Sequence, residues 1–131
     1  MRPTVHVFQL YRTAGDEAVW WRYISPNGRS IASCPEPLAS VTAAREAIDR
    51  LLGELPGAEV VVRPTPQHRW KWTLVTDERV VARGSGDHDR RLRCEEAARK
   101  FAETAAEATV DATVHVFRRR DTYPVANAVR S

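Results

Sequence analysis

The sequence contains few cysteines and no long apolar run. Of its 131 residues, two are cysteine, Cys34 and Cys94, which are too few for a disulfide framework and lack the spacing of metal ligands. No apolar run approaches the ~20 residues of a membrane span. The first residues do not lead into the apolar stretch that is typical of a signal peptide. We therefore expect a cytoplasmic protein with no membrane partner.

Motifs for catalysis and cofactor binding are also missing. The sequence has no nucleophile elbow, no dinucleotide-binding glycine fingerprint and no phosphate loop. Neither Cys34, which precedes a proline, nor Cys94, which falls in a predicted helix, is paired with a histidine in the sequence. The sequence therefore predicts no cofactor, no metal and no catalytic residue, and an enzyme would need groups that meet only in the folded chain.

The charge balance is weakly positive. Lysine and arginine together number 20 against 17 acidic residues, which gives a net charge of +3, and only Lys71 and Lys100 are lysine. So large an excess of arginine, with abundant alanine and valine, is typical of a GC-rich genome. The total charge therefore does not by itself indicate a nucleic-acid partner, and the positions of the cations matter more.

The chain contains an internal repeat. Residues 4–8, Thr-Val-His-Val-Phe, recur letter for letter at residues 113–117, and a similar apolar segment at residues 59–63 lies between them. His6 and His115 occupy equivalent positions in the repeated segment, which favours a structural role for both. The chain therefore divides into two similar units followed by a closing strand.

The repeat sets the expected domain organisation. We expect unit one at residues 1–57 and unit two with the closing strand at residues 58–118, both within one shared domain, and a flexible tail at residues 119–131. Alternating apolar residues and turn signals predict the strands, and Ser40 is the predicted N-cap of the first helix. The predicted strands cover residues 5–11, 19–24, 29–33, a segment at Val60, 70–74, 80–83 and 112–118, and the predicted helices cover residues 40–52 and 92–106.

The predicted fold class is α+β. Two pseudo-symmetric ββ(β)α repeats would form a mostly antiparallel sheet with both helices packed on one face. We expect closure by strand exchange, in which the strand at Val60 serves unit one and residues 114–117 complete unit two. The same arrangement favours a domain-swapped homodimer.

The residues of unit one resemble a known family. Residues 21–32, Trp-Arg-Tyr-Ile-Ser-Pro-Asn-Gly-Arg-Ser-Ile-Ala, resemble without a gap the core motif of the YegP-like family, and residues 44–51 resemble its helix. In unit two, residues 70–74 match, but Asp77-Glu78 replaces Asn-Gly. The resemblance covers residues 4–118. It implies small, often duplicated domains of unknown function, with strands packed on a helix, and it carries no catalytic residues.

The strand face opposite the helices is the first candidate site. Alternation places Trp21, Trp70 and Trp72 toward the helices and the remaining tryptophan on the opposite face. A tryptophan among cations is a suitable platform for stacking bases or binding an acidic peptide, although the same residues would also keep an open sheet face soluble or pack under the N-terminal strand. We expect a binding module that engages an acidic protein or nucleic acid through Trp20, Arg22, Arg69 and Lys71.

The loop at residues 84–89 is the alternative site. Its glycines allow close approach of a ligand, and Asp87, His88 and Asp89 offer groups for ligation or proton transfer. Their spacing matches no metal motif. The alternative function is therefore a small-ligand binder or enzyme that uses this loop, and a third hypothesis is a purely structural dimer.

Overall fold

Seven strands and two α-helices follow one another in a computed structural model that describes residues 5–77 and 79–118. The predicted tail at residues 119–131 lies outside the described residues. The elements are β1 (Val7–Thr13), β2 (Trp20–Ile24), β3 (Ser30–Ser33), α1 (Val41–Glu54), β4 (Glu59–Pro64), β5 (Trp70–Thr76), β6 (Arg79–Gly84), α2 (Arg91–Ala105) and β7 (Thr109–Phe117). Within the described ranges, neither helix is long and apolar enough to cross a membrane.

All seven strands form one sheet in the order β4-β5-β6-β3-β2-β1-β7. Every neighbouring pair is antiparallel except β1 and β7, which are parallel. The mixed α+β class and the mostly antiparallel sheet are therefore confirmed. The halves meet at the short β3–β6 pairing, where Ala32 is opposite Gly84 and Ser33 is opposite Arg83.

The predicted strand exchange is wrong. The strand at Val60 is β4, which pairs with β5 of unit two, and β7 pairs with β1 of unit one. The pairing of β4 with β5 is local, because a short loop connects them, and a local hairpin closes at a smaller entropic cost than a distant pairing. Helix α2 then returns the chain to the free edge of β1, where β7 adds in parallel.

Local sequence signals account for the first helix and for one of the turns. Ser40 is the N-cap of α1, as predicted, and its hydroxyl accepts a hydrogen bond from the Ala43 N–H at 3.0 Å. Gly28 has a φ of +86°, which the Asn-Gly turn between β2 and β3 requires. Both features lie in unit one, where the sequence signals are strongest.

One hydrophobic core joins both helices to one face of the sheet, which we call the inner face. The large buried side chains from this face are Phe8, Leu10, Trp21, Tyr23, Trp72 and Leu74. Helix α1 contributes Ile48, and α2 contributes Phe101. Trp21 and Trp72 are each 1% exposed, in agreement with their predicted orientation. The opposite side of the sheet, which we call the outer face, is covered by no helix among the described residues.

Candidate functional site

A continuous row of paired residues crosses the outer face. From β4 to β1, the cross-strand partners are Val61, Thr73, Arg83, Ser33, Arg22 and Gln9. Arg22 lies on β2 and Lys71 lies on β5. Three strand spacings, or about 14 Å, separate these two strands. The four residues predicted for this face therefore do not converge on one point. They divide between two regions, with Arg83 between them.

The first region surrounds Arg22. Its Nε donates a hydrogen bond to Gln9 Oε1 at 3.0 Å, and its guanidinium lies 5.4 Å from the Tyr11 ring centroid and 5.1 Å from that of Phe117. Trp20 is opposite Tyr11, is partly buried and packs against the core. Arg22 is therefore held between two rings, which positions a flat cation and its aromatic neighbours on the outer face.

The second region lies on β4 and β5. Arg69 Nε binds Asp87 Oδ1 at 2.5 Å, and this hydrogen bond from the guanidinium lowers the pKa of the Asp87 carboxyl. Lys71 is exposed and directly opposite Arg63. These two cations line a hollow of about 630 Å³, which we call the basic hollow, together with Val61, Pro64, Thr65, Pro66, Gln67, Thr73 and Asp87.

The predicted loop site is divided by the fold. Asp87 is bound to Arg69, His88 forms backbone hydrogen bonds of 2.8 Å in both directions with Trp70, and Asp89 is exposed. The loop residues therefore do not form one catalytic cluster. Asp87 instead joins the loop to the outer-face residue Arg69.

Two clefts on the helix side of the sheet have corresponding positions. Cleft one, of about 170 Å³, is lined on α1 by Ala47, Arg50, Leu51 and Glu54. Cleft two, of about 420 Å³, is lined on α2 by Ala97, Lys100, Phe101 and Thr104, each fifty positions later. Opposite the helix, β6 supplies Arg79, Val80 and Val81 to cleft one. The start of β3 and the residue before it supply Arg29, Ser30 and Ile31, each fifty positions earlier, to cleft two. Each cleft thus combines the helix of one unit with the third strand of the other.

The two clefts differ in how their arginine is paired. In cleft one, Arg79 Nη2 donates to Glu54 Oε2 at 2.6 Å. In cleft two, Thr104 stands at the position of Glu54, and its hydroxyl is bonded to the Tyr23 hydroxyl at 2.8 Å. Arg29 makes no ion pair with an acidic residue in the described part of the chain. Cleft two therefore has a cation without the carboxylate that its counterpart has.

Two histidines also line cleft two. His88 comes from the predicted loop, and His6 stacks on Tyr23 with ring centroids 5.2 Å apart. Burial, and then the charge of Lys100, lower the pKa of His6. The repeated segment favours a structural role for His6, and the sequence does not indicate Arg29 or Lys100. The internal repeat could relate Lys100 to Arg50, fifty positions earlier, but only the structure places both residues in clefts.

The cysteines are buried parts of the core. Cys34 Sγ accepts a hydrogen bond from the Trp21 N–H at 3.3 Å. Burial raises the pKa of both thiols, Cys34 and Cys94, and so disfavours the thiolate that a nucleophile requires. Their environment is that of small apolar core residues.

The fold and geometry define a small α+β domain with one seven-stranded sheet, whose outer face is covered by no helix of residues 5–77 and 79–118. Two solved structures have this fold. The solution NMR structure of YegP from E. coli, a protein of unknown function, matches with a TM-score of 0.62 and 13% identity over 89% of this chain and 95% of that one. The UPF0339 protein from Shewanella oneidensis matches with a TM-score of 0.61 and 9% identity over 87% and 91% of the two chains.

No protein-family model matches the chain, and no curated protein sequence matches it either. The two solved structures confirm the resemblance to the YegP-like family at the level of the fold. Since both structures are below 25% identity to this chain, they support the architecture, and they bring no substrate or partner with them.

Proposed function

We propose that this domain is a binding module whose outer face engages single-stranded nucleic acid. The observation that carries the proposal is the pairing of Arg63 with Lys71, two cations directly opposite each other on neighbouring strands. Like charges at such positions destabilise a sheet. Within residues 5–77 and 79–118, neither of them, nor Arg83, makes an ion pair with an acidic residue. A bound phosphate would relieve this repulsion.

The rings beside the cations favour nucleic acid over an acidic protein. Phe117 is 39% exposed, and its ring lies 5.6 Å from that of Tyr11, with Arg22 against both. Bases stack on aromatic rings and on guanidinium planes, whereas carboxylates need only the cations. The row across the outer face spans five strand spacings, or about 24 Å, which is long enough for several nucleotides.

The predicted residues enter this proposal in different roles. Lys71 contributes charge in the basic hollow, and Arg22 with Trp20 contributes the aromatic region. Arg69 is neutralised by Asp87 and so contributes less. We also propose that residues 1–57 and residues 58–118, the second range including the closing strand β7, are diverged pseudo-symmetric copies, because the two clefts correspond at a spacing of fifty residues. The homodimer, domain swapping and cytoplasmic location stay predictions.

The proposal is tested by anisotropy of a fluorescein-labelled oligothymidylate and, separately, of labelled polyglutamate. The test variant is Arg63→Gln with Lys71→Gln and Arg83→Gln. The control removes the same charge from exposed helix positions, as Arg45→Gln with Arg93→Gln and Arg99→Gln. We expect the outer-face variant to weaken oligothymidylate binding at least about tenfold. It should also reduce the slope of log affinity against log salt by about 2, since each phosphate contact on a single strand contributes about 0.7.

Two results would contradict the proposal. Equal losses in both triple variants would mean that net charge, and not the outer face, attracts the oligonucleotide. Tighter binding of polyglutamate than of oligothymidylate, lost in the outer-face variant, would assign the same surface to an acidic protein. Thermal melting of each variant establishes that the fold is retained.

A further inference from the structure

Cleft two lies on the helix side of the sheet, shares Asp87 with the lining of the basic hollow, and has the make-up of a small-molecule site. Its volume of about 420 Å³ falls within the range of ligand pockets, about 300–1,000 Å³. Its apolar lining is Ile31, Trp72, Ala97 and Phe101, and its polar lining includes His6, Arg29, Ser30, His88, Lys100 and Thr104. Apolar walls with a few convergent polar groups are typical of a site that orients a small organic ligand.

The polar lining is positively charged. Arg29 and Lys100 are both exposed, and neither makes an ion pair with an acid of the described residues. The acid that also lines the cleft is Asp87, but its carboxylate is bound to Arg69. The charge of Lys100 reaches the His6 ring, because it contributes to the lowered pKa of His6. The cleft therefore attracts an anion.

Cleft one indicates which kind of anion fits. There, a carboxylate of the chain itself, that of Glu54, binds the arginine that corresponds to Arg29. The geometry points to a small organic carboxylate in cleft two, with its carboxylate beside Arg29 as Glu54 is beside Arg79, and with its apolar body against Ile31 and Ala97. Thr104 leaves the space for this group because it replaces a glutamate with a shorter, uncharged side chain.

The apolar lining favours an organic carboxylate over free phosphate. A phosphate ion would use the cations of the cleft but would leave the partly exposed Ile31 and Ala97 surfaces in contact with water. A ligand with a ring or branched chain buries this surface as well, which adds about 25 cal/mol for each Å² of apolar area. We therefore expect the carboxylate and the apolar body to be recognised together.

Three probes separate these contributions. 2-Naphthoate has both features, 2-naphthamide has the same ring system without the charge, and inorganic phosphate has charge alone. Each is titrated into the ¹⁵N-labelled full chain while amide and indole N–H chemical shifts are recorded. We expect 2-naphthoate to shift the Trp72 indole and the amides around Ser30 and Ala97, and to bind at least about tenfold more tightly than either of the others, because a charge-assisted hydrogen bond is lost in the amide.

Matched variants assign the binding to cleft two. Arg29→Gln with Lys100→Gln should weaken 2-naphthoate binding about tenfold or more. The control, Arg79→Gln with Arg50→Gln, makes the equivalent change in cleft one and should leave it unaltered. Thr104→Glu restores the carboxylate found in cleft one and should abolish binding by pairing with Arg29. If Thr104→Glu fails to fold because the Tyr23 hydrogen bond is lost, the paired glutamine variants decide the question.

Several outcomes would overturn the inference. These are an absence of shifts with 2-naphthoate, shifts centred outside cleft two, and equal binding of 2-naphthamide. An equal loss of affinity in the cleft-one control would also overturn it. Because the residues of the proposed nucleic-acid surface are untouched in all these variants, failure here leaves oligothymidylate binding as a separate result.

Discussion

In cleft one, Arg79 is bound by Glu54, whereas in cleft two the corresponding arginine, Arg29, shares the cleft with Thr104, which stands at the position of Glu54. Two further exchanges on the helix accompany this one. Phe101 stands where cleft one has Leu51, and Lys100 stands where cleft one has Arg50. The two regions share their positions in the helix and strand but differ in volume and in charge balance. A few exchanges on a common scaffold therefore separate a cleft closed by its own ion pair from one whose arginine has no acidic partner among the described residues.

The energetic cost of losing the ion pair is small. The Arg79 side chain is 51% exposed and that of Glu54 is 24% exposed. Exposed pairs of this kind contribute about 0–1 kcal/mol to stability. A threonine at the corresponding position of cleft two is therefore compatible with a stable fold. Phe101, about one helical turn before Thr104, has a larger structural effect.

Phe101→Ala is expected to cause the largest change. The Phe101 ring lies 4.8 Å from Tyr23, 5.7 Å from Trp72 and 6.5 Å from Trp21, measured between centroids, so it joins both halves of the core. Its removal should lower the free energy of unfolding by about 3–5 kcal/mol. Leu51→Ala, the matched change in cleft one, should cost at least ~1 kcal/mol less. Urea unfolding followed by tryptophan fluorescence measures both, and an equal or larger cost for Leu51→Ala would remove this distinction between the clefts.

Gly84→Ala is expected to cause an intermediate change. A Cβ at Gly84 would lie 2.6 Å from Trp72 Nε1, and the buried Trp72 ring has little room to move. Overpacking of this kind costs about 1–3 kcal/mol. The corresponding residue in cleft one, Cys34, has a side chain beside Trp21, so the close approach is particular to cleft two. The change should also weaken 2-naphthoate binding, since Trp72 lines that cleft.

Gly86→Ala is the control for this prediction. Gly86 lies two residues later, in the loop after β6, and a Cβ there meets no atom within 4 Å. Its substitution should change the free energy of unfolding by less than about 0.5 kcal/mol. If Gly84→Ala is equally mild in thermal and urea unfolding, the Trp72 ring is less tightly held than the packing indicates.

The elements that depend on nearby residues were predictable from the sequence. Alternation placed Trp21 and Trp72 in the core, and Ser40 was identified as a helix N-cap from its position before an apolar period of 3.6. These features depend on spacings of two to four residues. The sheet order depends instead on pairings between distant segments, such as the two residue pairs of β3 and β6, and no local pattern specifies them. For that reason the strand exchange was predicted incorrectly.

The candidate sites show the same division. The sequence indicated which residues share the outer face, because alternation determines the face of Arg22 and of Lys71. It did not indicate that Asp87 binds Arg69, eighteen positions away, because that contact requires the β6–α2 loop to lie against the end of β5. Cleft two was missed for a related reason. Arg29, Lys100 and His6 come from a turn, a helix and the segment before β1, and they meet through the tertiary fold.

The smallest expected effect is a pH dependence that arises at His6. Its pKa is lowered from 6.5 by burial and then by Lys100, so the unfolded chain takes up this proton at a higher pH than the folded chain does. The free energy of unfolding should therefore decline as the pH falls through about 6.5 and stop declining below the folded pKa. His6→Gln should remove this part of the decline. Urea unfolding between about pH 5 and 7.5 measures it, since histidine titrates in that range.

The affinity of cleft two for 2-naphthoate should depend on pH in the opposite direction to the free energy of unfolding. A carboxylate beside His6 favours its protonated form, so 2-naphthoate affinity should rise by a few-fold, about 2 to 5, as the pH falls through the same window. The other groups in the cleft, His88, Lys100 and Asp87, are present in both the parent chain and His6→Gln, and they provide the internal reference. If the affinity of the parent and of His6→Gln changes equally with pH, His6 does not face the bound anion. The anion in cleft two would then be bound by Arg29 and Lys100 without His6.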